Sequence, residues 1–468
     1  MYVYVCFDVE DLVHPDSDDV ARDIAEMLAA DEITAMMCVV GEKARLWERR
    51  GRDDVIDAVR RHDVGLHTNR HSVHPAVAEY LADKGWEDGV AEAMRQEGPG
   101  VQDLSRILGA APSTWGTPGS SWGPQIPAAT RRLGIPSNIY SHARSGETGA
   151  CWFAGQLCYS DYMSLPGGED ACGDDAAFEA ALPTLLQRIS DFQRQGGACL
   201  GLFAAHPTRL RYTVFWDALN FAHGQNTPPE SYRFAPRKDD ATYERGLRNL
   251  RRMIHAVRDL PGVELISVRS LNNRILPPAD HIHWEEIRPL AQRIAESDAF
   301  CADNPQASPA QALDVLARAS LYLAGDTSIP DTLALREVLG PINSPPALES
   351  PIKVPLQVMV ALARELVDHV DTTGHLPTRL IAQDTPVGPG PLLRTLAVLF
   401  LDLDRGRKPD QVIISPGPEE PDIAARLAEE GIYRRLPGWP PHPPDLVLDR
   451  LALHTRLQSW SLRPAVLS

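Results

Sequence analysis

Residues 2–11, Tyr-Val-Tyr-Val-Cys-Phe-Asp-Val-Glu-Asp, set six apolar or aromatic positions directly against three carboxylates. A continuous apolar run of this length reads as a strand buried on both faces, and the acids mark where the chain leaves the core. Working outward, TAMMCVV (34–40), VGL (64–66), STWG (113–116), PSNIY (136–140), CLGLFAA (199–205) and VELISV (263–268) repeat the strand signal. Between them lie amphipathic stretches: VARDIAEMLAA (20–30), DDVIDAVRRH (53–62), FEAALPTLLQRISDF (178–192) and YERGLRNLRRMIHAV (243–257). This alternation predicts βα units and a parallel sheet or barrel, with chemistry at the C-terminal ends of the strands.

The rest of the composition narrows the function. The chain has 468 residues, 46 basic and 63 acidic, for a net charge of −17. That length implies two or three domains. The negative balance argues against nucleic acid and against an anionic membrane surface, since both are bound through Lys and Arg clusters. No window approaches the ~18–20 uninterrupted apolar residues of a spanning helix. The start, MYVYVCFDVED, lacks a basic n-region, so a cytoplasmic location is expected. Seven cysteines (6, 38, 151, 158, 172, 199, 301) are scattered without a CxxC pair, which leaves neither a zinc ribbon nor a thioredoxin motif. Cys6, Cys38 and Cys199 read as buried small hydrophobes in a reducing compartment.

Three clusters carry chemistry, each after a strand-like run. Asp8, Glu10 and Asp11 form an acidic strand tip, which either binds a cation or is a solvated turn. His67-Thr68-Asn69-Arg70-His71 places two histidines at i and i+4, which is chelate spacing on a helical turn. Thr68 stands where a metalloprotease would carry its general-base Glu. His74 reads as a loop residue placed by Pro75, and His206-Pro207 ends the CLGLFAA run. No GxSxG elbow or deaminase PCxxC is present.

The order of these clusters, with Thr117-Pro118-Gly119-Ser120-Ser121-Trp122 between the histidine motif and His206, resembles the polysaccharide deacetylases of the NodB-homology family over roughly residues 1–275. The resemblance implies a distorted (β/α)7-type barrel and a divalent metal ion, with zinc the default. It assigns Asp8 as catalytic base, Glu10 (with Asp11 as substitute), His67 and His71 as metal ligands, and His206 as general acid. A backbone N–H near Gly119, Ser120 and Trp122 would hold the oxyanion, and Trp122 would stack on a sugar face or form a plain wall. The chain departs from the pattern in three places. Val9 separates its first two acids, Gly116-Thr117-Pro118-Gly119 replaces the usual Arg, and Ser72 replaces the Pro after the second His. Arg70 is a candidate for the missing positive charge. The loop NFAHGQN (220–226) either closes over the site or runs as a surface excursion.

The function expected is a metal-dependent amide hydrolase that removes N-acetyl groups from an amino sugar or glycan. The alternatives are allantoinase-like hydrolysis of a small cyclic amide, and a catalytically silent carbohydrate-binding protein. Beyond the barrel (1–278), residues 279–310 read as a linker with one short helix, and 311–468 as a mostly helical domain. That domain has a two-copy repeat, 316–341 and 362–389, around Ile329-Pro330 and Leu376-Pro377. The repeat faintly resembles pseudomurein-binding repeats; otherwise it is a packing module for the barrel or a homo-oligomer. On this division, proteases cut between about 275 and 310 and release a soluble 1–278 fragment that keeps its metal.

Overall fold

The computed structural model describes residues 1–143, 149–297, 303–325 and 328–468. Cys301 and the Asp326–Thr327 turn of the first repeat lie outside the described residues. The N-terminal strands fall where the apolar runs place them: β1 Tyr2–Val9, β2 Met36–Val39, β3 Asp63–Leu66, β4 Trp115–Gly116 and β5 Ser137–Ile139. A hairpin that the apolar pattern does not show follows, β6 Ala150–Phe153 and β7 Gln156–Tyr159, then β8 Tyr162–Met163. β9 spans Cys199–Ala205 and β10 spans Glu264–Leu265.

The sheet runs β6-β7-β5-β4-β3-β2-β1-β9-β8, with β10 also paired to β1. From β7 to β8 every neighbouring pair is parallel. Seven inter-strand steps of ~4.8 Å would separate β7 from β8 by ~34 Å in a flat sheet. Only Ser160 and Asp161 join them, and three Cα steps span at most about 11 Å. The sheet therefore curls until its two ends meet, in a mixed α/β architecture. Helices cover its outer face. Asp16–Ala30, for example, buries Val20, Ala21, Ile24, Ala25 and Leu28, one stripe at 3–4-residue spacing.

Two features correct the domain boundaries. Residues 279–310 are not a linker: strand His281–His283 pairs with Thr332–Ala334, and helix Trp284–Glu296 buries Ile287, Leu290 and Ala291. These side chains join a second core with the helices Pro309–Ala324, Leu356–Thr373 and Pro389–Asp404. Its apolar face explains the segment, which the prolines and polar residues had masked. Nor does 311–468 form one helical body. After strand Gln411–Ile414 the chain returns to the barrel, where Leu427, Ile432, Leu436, Leu451 and Leu462 belong to the same core as β1. Strand Arg463–Pro464 extends the sheet beyond β6. The two repeat copies share the second core but differ in surroundings, for Ile329 is about half exposed and Leu376 is buried. No helix among the described residues is long and apolar enough to cross a membrane.

A 1–278 fragment should therefore be insoluble instead of retaining a barrel, because it lacks the returning segment. In the full chain, Leu451→Ala should cost about 2–5 kcal/mol in denaturant melts, as a large-to-small change in a packed core does. A 1–278 fragment with a cooperative melt would show that the barrel core closes without residues 423–467.

Candidate active site

β1 delivers Asp8 and, one residue past its end, Glu10; β3 delivers His67 and the turn carrying His71; β9 delivers His206. All five are buried or nearly so, and they converge. Glu10 Oε2 lies 3.3 Å from His67 Nε2 and 3.1 Å from His71 Nε2. Asp8 Oδ2 lies 3.6 Å from His67 Nε2 and 3.8 Å from His206 Nε2. Glu10, His67 and His71 have ligand atoms close enough together to hold one ion, and so do Asp8, Glu10 and His206. Both ring nitrogens of His67, Nε2 of His71 and Oδ1 of Asp8 are buried without a hydrogen-bond partner. Native structures rarely leave buried polar atoms unpaired. Two imidazoles and a carboxylate whose free atoms face one point are a donor set for a divalent cation, so the residues present fit a metal.

The histidine motif reaches this geometry by a route its spacing did not predict. Residues 67–76 contain no helix; Thr68 (φ 63°) and His71 (φ 50°) take left-handed backbone in a tight turn instead. Non-glycine residues there store strain of order 1 kcal/mol or more, which surrounding contacts must offset. Thr68 Oγ1 accepts from His71 N at 2.8 Å, and Asn69 Nδ2 donates to Gln96 O at 2.8 Å. Buried Glu97 accepts from Asn69 N (3.0 Å), Tyr80 OH and Trp115 Nε1 (both 3.3 Å), and burial pushes its carboxyl up to about 7. Gly116 leaves room for His67, whose Nδ1 would lie 3.1 Å from a Cβ there.

Outer partners fix the rings. Ser72 Oγ donates to Asp217 Oδ2 at 2.8 Å and lies 2.7 Å from His71 Nδ1. Its single proton is thus committed to Asp217, His71 Nδ1–H donates to it, and His71 Nε2 is left with a lone pair in the neutral ring. Trp216 Nε1 donates to Glu10 Oε1 at 3.3 Å. Burial would raise the Glu10 carboxyl, but His71 and His67 outweigh it and hold it well below the carboxylate range. Burial raises Asp8. Asp11 is not a ligand: it accepts from Val13 N and His14 N at 2.8 and 2.9 Å and holds the His14 ring and the Thr208 hydroxyl. The choice between Glu10 and Asp11 therefore falls to Glu10.

His206 has a partner that sequence reasoning missed. Glu169 Oε1 accepts from His206 N at 2.7 Å and lies 2.8 Å from its Nδ1. Burial alone would lower His206, yet Glu169 outweighs it and lifts the imidazole to about 9; Glu169 itself, in spite of burial, falls to about 2. Glu169 stands 37 residues before His206 in a Gly-Gly-Glu-Asp stretch, and no spacing rule links the two. Of the expected wall, Gly119 is exposed and Ser120 half-buried. Trp122 is a correction, being fully buried against His142 and Phe153, where it cannot stack on a ligand. Arg70 is exposed and has no ion pair among the described residues. His74 pairs with Glu79 and lies 2.8 Å from Phe221 O. Asn226 Nδ2 donates to His74 O at 3.0 Å, so the 220–226 loop is docked on the histidine turn and is no free surface excursion.

Trp439, from the returning C-terminal segment, also enters the site. Its ring meets the His71 ring edge-on at 5.6 Å, and the Trp216 ring lies 5.6 Å from the same imidazole.

No protein-family model matches the chain, and no curated protein sequence does. Solved structures do. A putative polysaccharide deacetylase from Mycobacterium smegmatis aligns over 58% of this chain and 88% of its own, at 14% identity and TM-score 0.35. A probable polysaccharide deacetylase from Pseudomonas aeruginosa PAO1 aligns over 58% and 89%, at 10% identity and TM-score 0.36. Puue allantoinase aligns over 58% and 89%, at 11% and 0.33. At such TM-scores the likeness carries no argument about chemistry, which rests on the side chains.

The His206–Glu169 pair has a definite pH signature. A raised imidazole contributes stability that is whole below its unfolded value of ~6.5 and lost as pH rises through about 9. The depressed carboxyl contributes above ~4.5, and that share is lost as pH falls through about 2. Ring-carbon NMR should find His206 titrating near 9 and, in Glu169→Gln, near or below 6.5. An unmoved titration in the variant would show that Glu169 does not set the imidazole.

Proposed function

We propose that the chain is a metal-dependent amide hydrolase that removes N-acetyl groups from an amino sugar. On this reading β1–β5, the bent segment 156–163 and β9 count as a seven-stranded barrel. The observation that supports it is the convergence of His67 Nε2 and His71 Nε2, both buried without a hydrogen-bond partner, on Glu10, with Asp8 beside them. Glu10, His67 and His71 would hold the ion. When bound, a divalent cation, zinc by default, lowers the pKa of water toward ~7 and polarises an amide carbonyl.

The chain's own residues supply the rest. Asp8, raised by burial and free at Oδ1, accepts the proton of the attacking water. His206, kept protonated by Glu169, donates a proton to the departing amine nitrogen. Asp8 and His206 face each other across 3.8 Å, so proton acceptor and proton donor flank one small volume. Backbone N–H groups at Gly119 and Ser120 are the candidates for holding the oxyanion. Hydrolysis of a small cyclic amide uses the same groups, and it is the second reading because the site is so enclosed.

Metal analysis of the purified protein should find about one divalent ion per chain, and His67→Ala should lose most of it. Asp8→Asn should keep the ion and lose about 10²–10⁴-fold in rate, the usual worth of general acid–base catalysis. His206→Ala should behave likewise. Released acetate from acetylated chito-oligosaccharides is the readout, with allantoin as the comparison substrate. Full metal in His67→Ala would place the ion elsewhere, and activity surviving in both Asp8→Asn and His206→Ala would sink the mechanism.

A further inference from the structure

The segment Leu436-Pro-Gly-Trp-Pro-Pro-His442 lies over the loops that surround His71. Trp439 fills the space that a side chain at residue 119 would need: a Cβ on Gly119 (φ 52°) would lie 2.2 Å from Trp439 Nε1. Hydrogen bonds tie the segment on both sides. His442 Nε2 lies 2.9 Å from Ser121 Oγ, in the loop after β4. His223 N and Gly224 N, in the loop after β9, donate to Pro440 O and Pro441 O at 2.9 Å each. His442 Nδ1 lies 2.7 Å from Leu436 O, which closes the segment on itself. Prolines at 437, 440, 441, 443 and 444 restrict the backbone, and Leu436 and Leu451 anchor it in the barrel core. It is a fixed strap, and little conformational entropy remains to be lost in holding it there.

We propose that this strap shuts the His71 end of the binding groove, so that the site takes the terminus of an amino-sugar chain or a small amide and excludes the interior of a polymer. The proposal rests on the hydrolase reading above and specifies its substrate. A polymer deacetylated at an internal unit must leave the groove at both ends. At the His71 end Trp439 and Trp216 flank the imidazole, and the strap bridges the two neighbouring loops. The other end is open: the His206 side chain is 22% exposed, with Phe203 and Phe215 rings 4.7 and 4.8 Å from its own. Tyr162, 45% exposed and edge-on to Tyr140 at 5.1 Å, continues that aromatic rim outward. Substrate therefore enters past His206, along apolar ring faces suited to a sugar, and stops against Trp439. Gly119 has no side chain, and the three atoms nearest to where its Cβ would stand all belong to the Trp439 indole.

The test compares wild type, Trp439→Ala and His442→Ala, all zinc-loaded, on di-N-acetylchitobiose and hexa-N-acetylchitohexaose. Mass spectrometry locates the deacetylated unit. Wild type should act on the terminal unit of the hexamer, with kcat/KM at least about tenfold below that for the dimer. Trp439→Ala should bring the two within about threefold and deacetylate internal units; His442→Ala, which unties the strap from Ser121, should move the same way by less. A second arm needs no turnover: calorimetry with acetohydroxamate and with N-benzyl-benzohydroxamate, whose groups project in two directions. Both variants and wild type should bind the small probe, and only the variants the large one. Internal deacetylation by wild type, or equal binding of the large probe to all three proteins, overturns the strap alone. Failure of wild type to bind either probe overturns the hydrolase reading and the strap with it.

Discussion

Glu10, His67, His71 and Asp8 are removed from water together, and much of the surrounding structure exists to make that tolerable. A buried charge without a partner costs several kcal/mol, and a buried ring nitrogen without one costs somewhat less. Here the ligand atoms are left open toward one another, while the far atoms of Glu10, His71 and His206 are engaged; of these imidazoles' far nitrogens, His67 Nδ1 alone lacks a partner. Trp216 holds the far oxygen of Glu10, Ser72 and Asp217 hold the far nitrogen of His71, and Glu169 holds His206. Glu97 holds the strained turn between the two histidines. Trp216, Ser72, Asp217 and Glu97 are themselves buried and Glu169 is largely so, which makes the site rigid from behind. Such preorganisation suits a reaction in which charge must develop at a fixed point.

The legible parts of the sequence were those in which one short stretch carries the whole signal. β1 and β9 are apolar runs with β-branched or aromatic content and can be read directly. Asp8, Glu10, His67, His71 and His206 each follow such a run and could be nominated from that position alone. What escaped was non-local. Glu169, Glu97 and Asp217 sit in stretches that read as ordinary solvated acids, and their roles exist only because the fold brings other strands to them. The β6–β7 hairpin was missed because ACWF and QLCY are four residues each and turn through Ala154-Gly155, without an Asn-Gly or Asp-Gly signal. Spacing also gave a right pairing for a wrong reason: His67 and His71 meet through a strained turn and not along a helix.

The second core shows why composition alone misplaced the boundaries. Prolines and acids between 277 and 309 look like a linker, yet Trp284–Glu296 has one buried stripe that needs an apolar partner, and the helices beyond it supply one. The chain then abandons that core. Trp439, in a Pro-rich stretch that reads as an exposed turn, instead lies against the His71 ring. Two prolines beside a tryptophan gave no hint of which surface the ring would meet.

The return of residues 423–467 to the barrel also matters during synthesis. β1, β3 and β9, which carry all the candidate ligands, are complete once residue 206 has left the ribosome, whereas the strap and the strand Arg463–Pro464 emerge roughly 230–260 residues later. At about 5–20 residues per second, that interval lasts on the order of ten to fifty seconds. Throughout it the barrel lacks its outermost strand, its cover and part of its core, while the intervening helical body has time to collapse on its own core. Vectorial synthesis thus leaves the barrel core unfinished until the last residues emerge, an order of events that refolding the whole chain from denaturant would not reproduce.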